Sequence, residues 1–596
     1  MPGTNRLLHF CFALSLVLWG GCKDDSKPRP GPKLPNNQQP SANTIGSEPA
    51  AVVTNITTGT AGGELTLPLI GEPRTYNPLA ASDRSSETIT RLLFAGLTRF
   101  NWQTETPEPD LAHKWSVSAD GKTWTWHLRK NLQWSDGQAL TADDVVFTWN
   151  DIIYNPHFIN PLADTFSIEG KKFAVSQIDK TTVQFVTPEP FAPFVAFVGT
   201  VPIIPRHAVR GYIRERRFTE FYRLGTLAFR LVGSGPYRLK EHMPGEGILL
   251  ERNQLYHRSD ESGNRLPYID LVRFRAVPAA DDLPHRFLTN GFALAEGIRF
   301  EDLQSLTAAN KTNEHQILDL GPGSEPRIMW FNQNTNAPGV APHKQAWFRD
   351  SRFRQAVNLA IDREAIIESV YDGKGGLPDG FLVAGSARWR VDSGGFPHDA
   401  ARSMKLLEEV GFQKNDKGRL VDAKGNALSF TLKLARGSRT SSAVAETIRT
   451  QLETLGIHVT VAHVEFPALL HSLDTEFDYD AILMGFGGGV PDPQTARDIL
   501  RSDGPMHYWH PRQSAPATKW ERQIDELFTR QRGELDFEKR KRTCAEISSI
   551  LSRELPYLPL LIRHKHAVVR TKLGNLKPVA ASPFPLTWNL EELFLQ

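Results

Sequence analysis

The chain has 596 residues, 40% hydrophobic and 23% charged, the composition of a folded globular protein long enough for several domains of about 150 residues each. A formal net charge of +2 gives no electrostatic reason to expect a nucleic-acid partner. The three cysteines, Cys11, Cys22 and Cys544, lack the C-x-x-C spacing of a structural zinc site, so neither a metal nor another cofactor is expected.

Arg6 is the only charge before an apolar run from Leu7 to Trp19. That run is too short to span a bilayer comfortably, which takes about 20 residues, and it fits the apolar region of a signal peptide. Gly20 and Gly21 precede Cys22, as in a lipobox, where the cysteine thiol receives a diacylglycerol and becomes the first mature residue; Trp19 stands where a lipobox usually has Leu. The expectation is a lipoprotein signal peptide over 1–21 and lipidation at Cys22, with an ordinary signal peptide or an uncleaved anchor as alternatives. Loss of the leader leaves Cys544 alone, so no disulfide forms and the core must supply the stability. Residues 22–62 are rich in Pro, Ser, Asn, Thr and Gly and read as a disordered tether, because they bury too little to offset ordering.

The folded body opens with a strand over 63–70 and a helix over 88–97. Leu111 to Ile153 then holds five of the thirteen tryptophans, so it dominates the aromatic content. Asp120-Gly121 is a hairpin turn signal. Trp124, Trp126 and Leu128 alternate with Thr125, His127 and Arg129, which predicts a half-buried strand. Ser135-Asp136-Gly137 makes a second turn, and Thr141 caps a helix with Asp144 three residues on. Buried aromatics are more often core than ligand platform, and these tryptophans are read as core. Further strands are predicted over 181–187, 271–276, 428–434, 456–461 and 477–484, and helices over 191–198, 400–411 and 443–455. The strand–helix–strand order near residue 440 implies a parallel α/β lobe.

The ordered pattern W-x-x-S-x-D-G-x-T-W-T-x-H-L-R-x-N…S-D-G…L-T-A-x-D-V-V-F-T-W in this stretch resembles the signature of the bacterial extracellular solute-binding proteins of family 5. Further blocks of the same family are matched by Gly233-Ser234-Gly235-Pro236-Tyr237, by Leu266-Pro267-Tyr268-Ile269-Asp270, and by the run from Phe348 to Arg363. The resemblance covers nearly the whole chain from residue 63. It implies a mixed α/β, two-lobed periplasmic binding protein fold with a hinge, of the type II cluster, in three domains. Lobe I is then 63–95 with 227–325 and 560–596, a second domain of 96–226 is inserted in it, and lobe II is 326–559. The implied function is capture of a peptide in the interlobe cleft and delivery to the permease and ATPase subunits of an ABC importer. The protein would be a monomer in the periplasm or cell envelope, held to the membrane by its N-terminal lipid.

By position, the resemblance puts one cleft wall at Asp83, Arg84 and Ser85. The other is the loop from Gly485 through Phe486, Gly488 and Gly489 to Asp492, with Trp330 and Trp509 lining the space. Here the chain departs from the family. Peptide binders carry an Asp four residues before the Pro of D-x-x-D-P, paired with the ligand's α-ammonium, and this chain has Gly489 there. A buried ammonium without a carboxylate costs several kcal/mol, so Asp492 or Asp83 must substitute or the ligand must differ. Asp492 has a second reading, as the residue that orders the Pro-Asp-Pro turn. A sugar, a metal chelate or an opine-like solute is the alternative ligand. No G-x-S-x-G, P-loop or H-E-x-x-H motif is present, so catalysis has no sequence support. His564 and His566 share a strand face and are read as surface residues rather than a metal pair.

Overall fold

The computed structural model describes residues 43–45 and 52–596, apart from 159–161, 290, 312, 379, 392–394, 396 and 488. The expected leader, Cys22 and Gly488 lie outside these.

The tryptophan hairpin forms as its alternation predicts. Thr123–Leu128 pairs antiparallel with Ala112–Val117 around a turn in which Gly121 has φ 72°. Trp124, Trp126 and Leu128 are buried, as are Trp115, Trp134 and Trp149, and Trp124 stacks on Phe194 with ring centroids 4.6 Å apart. The Ala142–Phe147 helix follows, with the Asp144 carboxylate accepting the Thr141 N–H at 3.0 Å. Thr182–Val186 and Ala174–Asp179 extend the hairpin, and Asn43–Ile45 forms its other edge, giving a five-stranded antiparallel sheet. This sheet is the frame of the inserted domain.

Lobe I is built on four strands in the order Tyr237–Met243, Gly247–Arg252, Leu271–Val277 and Glu64–Ile70, the last pair parallel. Lobe II contains the predicted parallel unit: Ser429–Ala435, the helix Arg439–Thr454, then His458–Val464 beside the first strand. Its sheet continues through Ala481–Gly485 to two long strands, Gln316–Phe331 and Leu558–Val569, and ends at Leu294–Ile298.

Those two long strands connect the lobes. At one end Gln316–Leu318 pairs with Ala567–Val569, which also pairs with Leu294–Ile298 against the small core of Phe287 and Phe292. At the other end Arg327–Met329 pairs with Leu558–Leu561 inside the lobe II core. Between these ends the register slips around Pro322 and Pro326. Proline offers no N–H to the ladder, so the pairing is weakest where the strands pass from one lobe to the other.

Three expectations are corrected. The segment from Val52 to Gly62 is docked rather than a tether: Val52–Val53 pairs with Ser259–Asp260, Val53 is buried with Tyr256 and Phe594, and Gly62 N–H donates to Tyr268 O at 2.8 Å. Asn43–Ile45, also placed in the tether, is a sheet edge. Short β-branched residues can be captured by a free strand edge even in a polar stretch. The first helix is Arg84–Leu93 rather than 88–97, because Asp83 caps it. The lobe boundary set at 559/560 falls inside the long strand, and Leu560 and Leu561 still belong to the lobe II core.

Candidate functional site

A cavity of about 340 Å³ opens where the long strands pass between the lobes. Lobe I contributes the end of the Glu64–Ile70 strand, Arg84 and Ser85 at the start of the first helix, Glu296 to Glu301, and the Pro583–Thr587 loop. Lobe II contributes Tyr371, Lys374 and Thr440. The crossing strands contribute Gly323, Glu325 and the run Arg563-His564-Lys565-His566. Each wall thus comes from a different part of the chain, which places the space at a junction that relative lobe motion would open or close.

The charges in this cavity are unevenly matched. Arg299 is held by Asp302, and Arg563 meets Glu325 at 3.6 Å. Arg84, Lys374 and Lys565 have no carboxylate within ion-pair distance among the described residues. Arg84 instead lies over the Phe584 ring at 4.9 Å, and Lys565 Nζ donates to Ser582 O at 3.2 Å. Burial lowers the Lys565 ammonium from its usual range; Glu325 and Glu296 oppose that shift, and the nearby Arg84 and Arg563 add to it. Burial and the neighbouring Arg563 also lower the Arg327 guanidinium, which lies behind this wall. Glu296 is occupied: it accepts from Leu586 N–H at 2.6 Å, Thr587 N–H at 2.8 Å and Thr587 Oγ1 at 3.1 Å, while burial raises its carboxyl. Glu301 accepts from Thr440 Oγ1 at 3.3 Å.

Of the wall residues expected from sequence, Arg84 and Ser85 line the cavity. Ser85 is buried and donates its hydroxyl to Ile70 O at 2.6 Å. Asp83 does not offer a free carboxylate: its two oxygens take Ser86 N–H at 2.9 Å and Ser86 Oγ at 2.6 Å as the helix cap. Asp492 is occupied more completely. It caps the 3₁₀ turn through Gln494 N–H at 2.8 Å and forms a bidentate pair with Arg540 at 2.6 and 2.7 Å, both side chains buried. Gln531 Oε1 takes a further bond from Arg540 Nε at 2.9 Å, and the cluster is closed.

Trp330 and Trp509 do not line the cavity; both are buried in the second core of lobe II. Trp330 alternates with Met329 and Phe331, but that strand is covered on both faces, so alternation could not separate a wet face from a dry one. Phe486 is half-buried and lies 5.6 Å from the Trp330 ring, outside the cavity lining. Gly485 pairs with Arg327, and a Cβ on Gly487 would run into Glu325, so this loop stands behind the cavity wall. Gly489 is exposed at φ 83°, with open space where a Cβ would be.

Sequence reading missed Glu296, Glu325, Tyr371, Lys374, Arg563 and Lys565. The signal for the last two was available: Arg563 and Lys565 at i and i+2 put two cations on one face of an otherwise apolar strand. His566, read as a surface residue, is instead 2% exposed and stays below the usual imidazole range through burial. His564 accepts the surface reading better, paired with Asp319 at 2.9 Å.

Two α/β lobes joined by crossing strands, with a cavity between them lined by both charged and apolar side chains, define a solute-binding protein. Residues 106–508 match the family of bacterial extracellular solute-binding proteins, family 5, middle region, and the chain belongs to that family. It is 25% identical over 517 residues to a probable ABC transporter-binding protein of Deinococcus radiodurans, covering 83% of this chain and 86% of that protein. It is also 25% identical over 529 residues to the oligopeptide-binding protein AppA of Bacillus subtilis, covering 87% and 89%. Among solved structures, a periplasmic EDTA-binding protein superposes with a TM-score of 0.74 at 18% identity, covering 92% of this chain and 99% of that one. Among the described residues no helix is long and apolar enough to cross a membrane.

Proposed function

We propose that this chain captures a solute in the interlobe cavity, closes over it by bending at the crossing strands, and delivers it to the permease of an ABC importer. The observation that carries this reading is the 340 Å³ cavity formed jointly by both lobes and the strands between them. The slipped register at Pro322 and Pro326 supports a hinge there, since fewer ladder bonds resist bending. Peptide is the first ligand class to test, given the AppA relative. A non-peptide solute is the second reading. It is favoured by Gly489, where peptide binders have a carboxylate, and by the occupation of Asp83 and Asp492 within the protein.

Thermal unfolding of the purified protein against peptide pools and polar solutes tests capture directly. A ligand at 100 times its Kd, bound only by the folded state, adds about 2.7 kcal/mol. Small-angle scattering should show a smaller radius with that ligand, and an unchanged radius would remove the closure step. Attachment to the membrane rests on Cys22; metabolic labelling with palmitate should be lost in Cys22→Ala, and equal labelling of both forms would refute it.

A further inference from the structure

We infer that the cavity selects a solute carrying two or more carboxylates, and that it does so through Lys565, Arg563 and Arg84 without needing a free ammonium on the ligand. This rests on the capture reading above and names its ligand class. Three observations carry it. The chain as a whole is nearly neutral at +2, yet five Lys and Arg side chains line this one cavity against three carboxylates. The carboxylates are partly engaged: Glu296 Oε1 accepts from three donors of the Pro583–Thr587 loop, Glu301 takes the Thr440 hydroxyl, and Glu325 faces Arg563. Lys565 and Arg84, in contrast, have no carboxylate within ion-pair distance among the described residues: Lys565 donates to a backbone carbonyl, with Glu325 and Glu296 acting on it from farther off, and Arg84 lies over an aromatic face.

Arg84 is exposed and Lys565 half-buried, so both can reach a bound anion, and the partial desolvation of Lys565 is offset when an anion completes it. Guanidinium and ammonium groups converging on one space bind carboxylate oxygens through charge-assisted hydrogen bonds. The ammonium site of a peptide binder is absent by the same reasoning: position 489 has no carboxylate, and neither Asp83 nor Asp492 has a free oxygen pair to offer. The shared chemistry is a cluster of carboxylates, whether on an acidic peptide or on a non-peptide polycarboxylate.

The test is calorimetric titration of the whole mature protein with four probes: tricarballylate, tri-glutamate, N-acetyl tri-glutamate and tri-alanine. Tricarballylate or the two glutamate peptides should bind, weakening as salt is raised, and tri-alanine should bind more weakly or not at all. Equal affinity of the acetylated and free glutamate peptides is expected, because no ammonium site is present. Binding of the peptides but not tricarballylate identifies the peptide source, and the reverse the non-peptide one; both support the inference. Lys565→Met and Arg84→Gln should each reduce that affinity about tenfold or more. Arg84 is solvent-exposed, so its variant tests the site even if the variant at half-buried Lys565 folds poorly. Tighter binding of tri-alanine, or unchanged anion affinity in Arg84→Gln, overturns the inference while leaving capture intact. Absence of binding by these probes together with every peptide pool and polar solute counts against capture itself, and with it this inference.

Discussion

Two clusters of charge in this protein, one buried around Asp492 and one half-exposed around Lys565, differ in how they are matched. Around Asp492, every charge has its partner: Arg540 bonds both carboxylate oxygens, Gln531 takes the remaining N–H, and the Arg540 guanidinium lies over Trp389 at 4.9 Å. Around Lys565, the cations outnumber the free acceptors, and two of them rest on a carbonyl and a ring. A cluster completed by the protein stabilises the fold. One left incomplete lies beside the open space between the lobes. Sequence position left Asp492 with two readings, a ligand partner or the residue that orders the Pro-Asp-Pro turn, and its hydrogen bonds to Gln494 and Arg540 fit the second.

Four measurements break or sharpen this contrast. The largest effect belongs to Asp492→Ala, which strands the buried Arg540 guanidinium and should cost about 3–5 kcal/mol in urea unfolding. A variant of wild-type stability that has lost ligand binding would assign Asp492 to the site instead. Lys565→Met should act oppositely on the two readouts, weakening ligand binding while leaving stability unchanged or raised, since it removes a half-buried charge with no carboxylate within ion-pair distance. A loss of stability matching that of Asp492→Ala would make the two clusters equivalent.

Gly489→Asp should cost about 1–2 kcal/mol, because the position has φ 83° although a Cβ finds open space there. If it also raises affinity for free-amine peptides, the site is peptide-shaped and lacks only its anchor. The smallest effect concerns pH. Burial raises Glu296 above the ordinary carboxylate value of 4.5, so its ionised form is disfavoured in the folded state. Its contribution to stability is therefore fully present below the ordinary carboxylate pKa and is lost as pH rises through the raised one. Glu296→Gln keeps an acceptor oxygen for the Leu586 and Thr587 donors and should flatten that decline in urea midpoints measured from acid to neutral pH. A decline of equal slope in both proteins would show that another group titrates.

The Cys544 thiol lies one helical turn from Arg540, beside the closed cluster. It is buried in the Phe537–Glu554 helix and pushed up to about 12, which suits a small core residue and not a reactive one.

The sequence by itself determined the local elements and the family. Alternation in Thr123–Leu128, the Asp120-Gly121 turn, and the strand–helix–strand order from Ser429 to Val464 are short-range properties, fixed by side-chain period and backbone conformation. Arg84 and Ser85, placed at the cleft by the family resemblance, do line the cavity, and the structure adds that they open a helix capped by Asp83. Only the tertiary structure decided which charged residues are matched. Asp492 and Arg540 are 48 residues apart, and Arg84 meets Lys565 and Phe584 from the opposite end of the chain. It also decided that Trp330 and Trp509 are core, because a strand covered on both faces carries no pattern that marks one side as wet. Whether a charge is satisfied depends on distance in space, and spacing along the chain does not encode it.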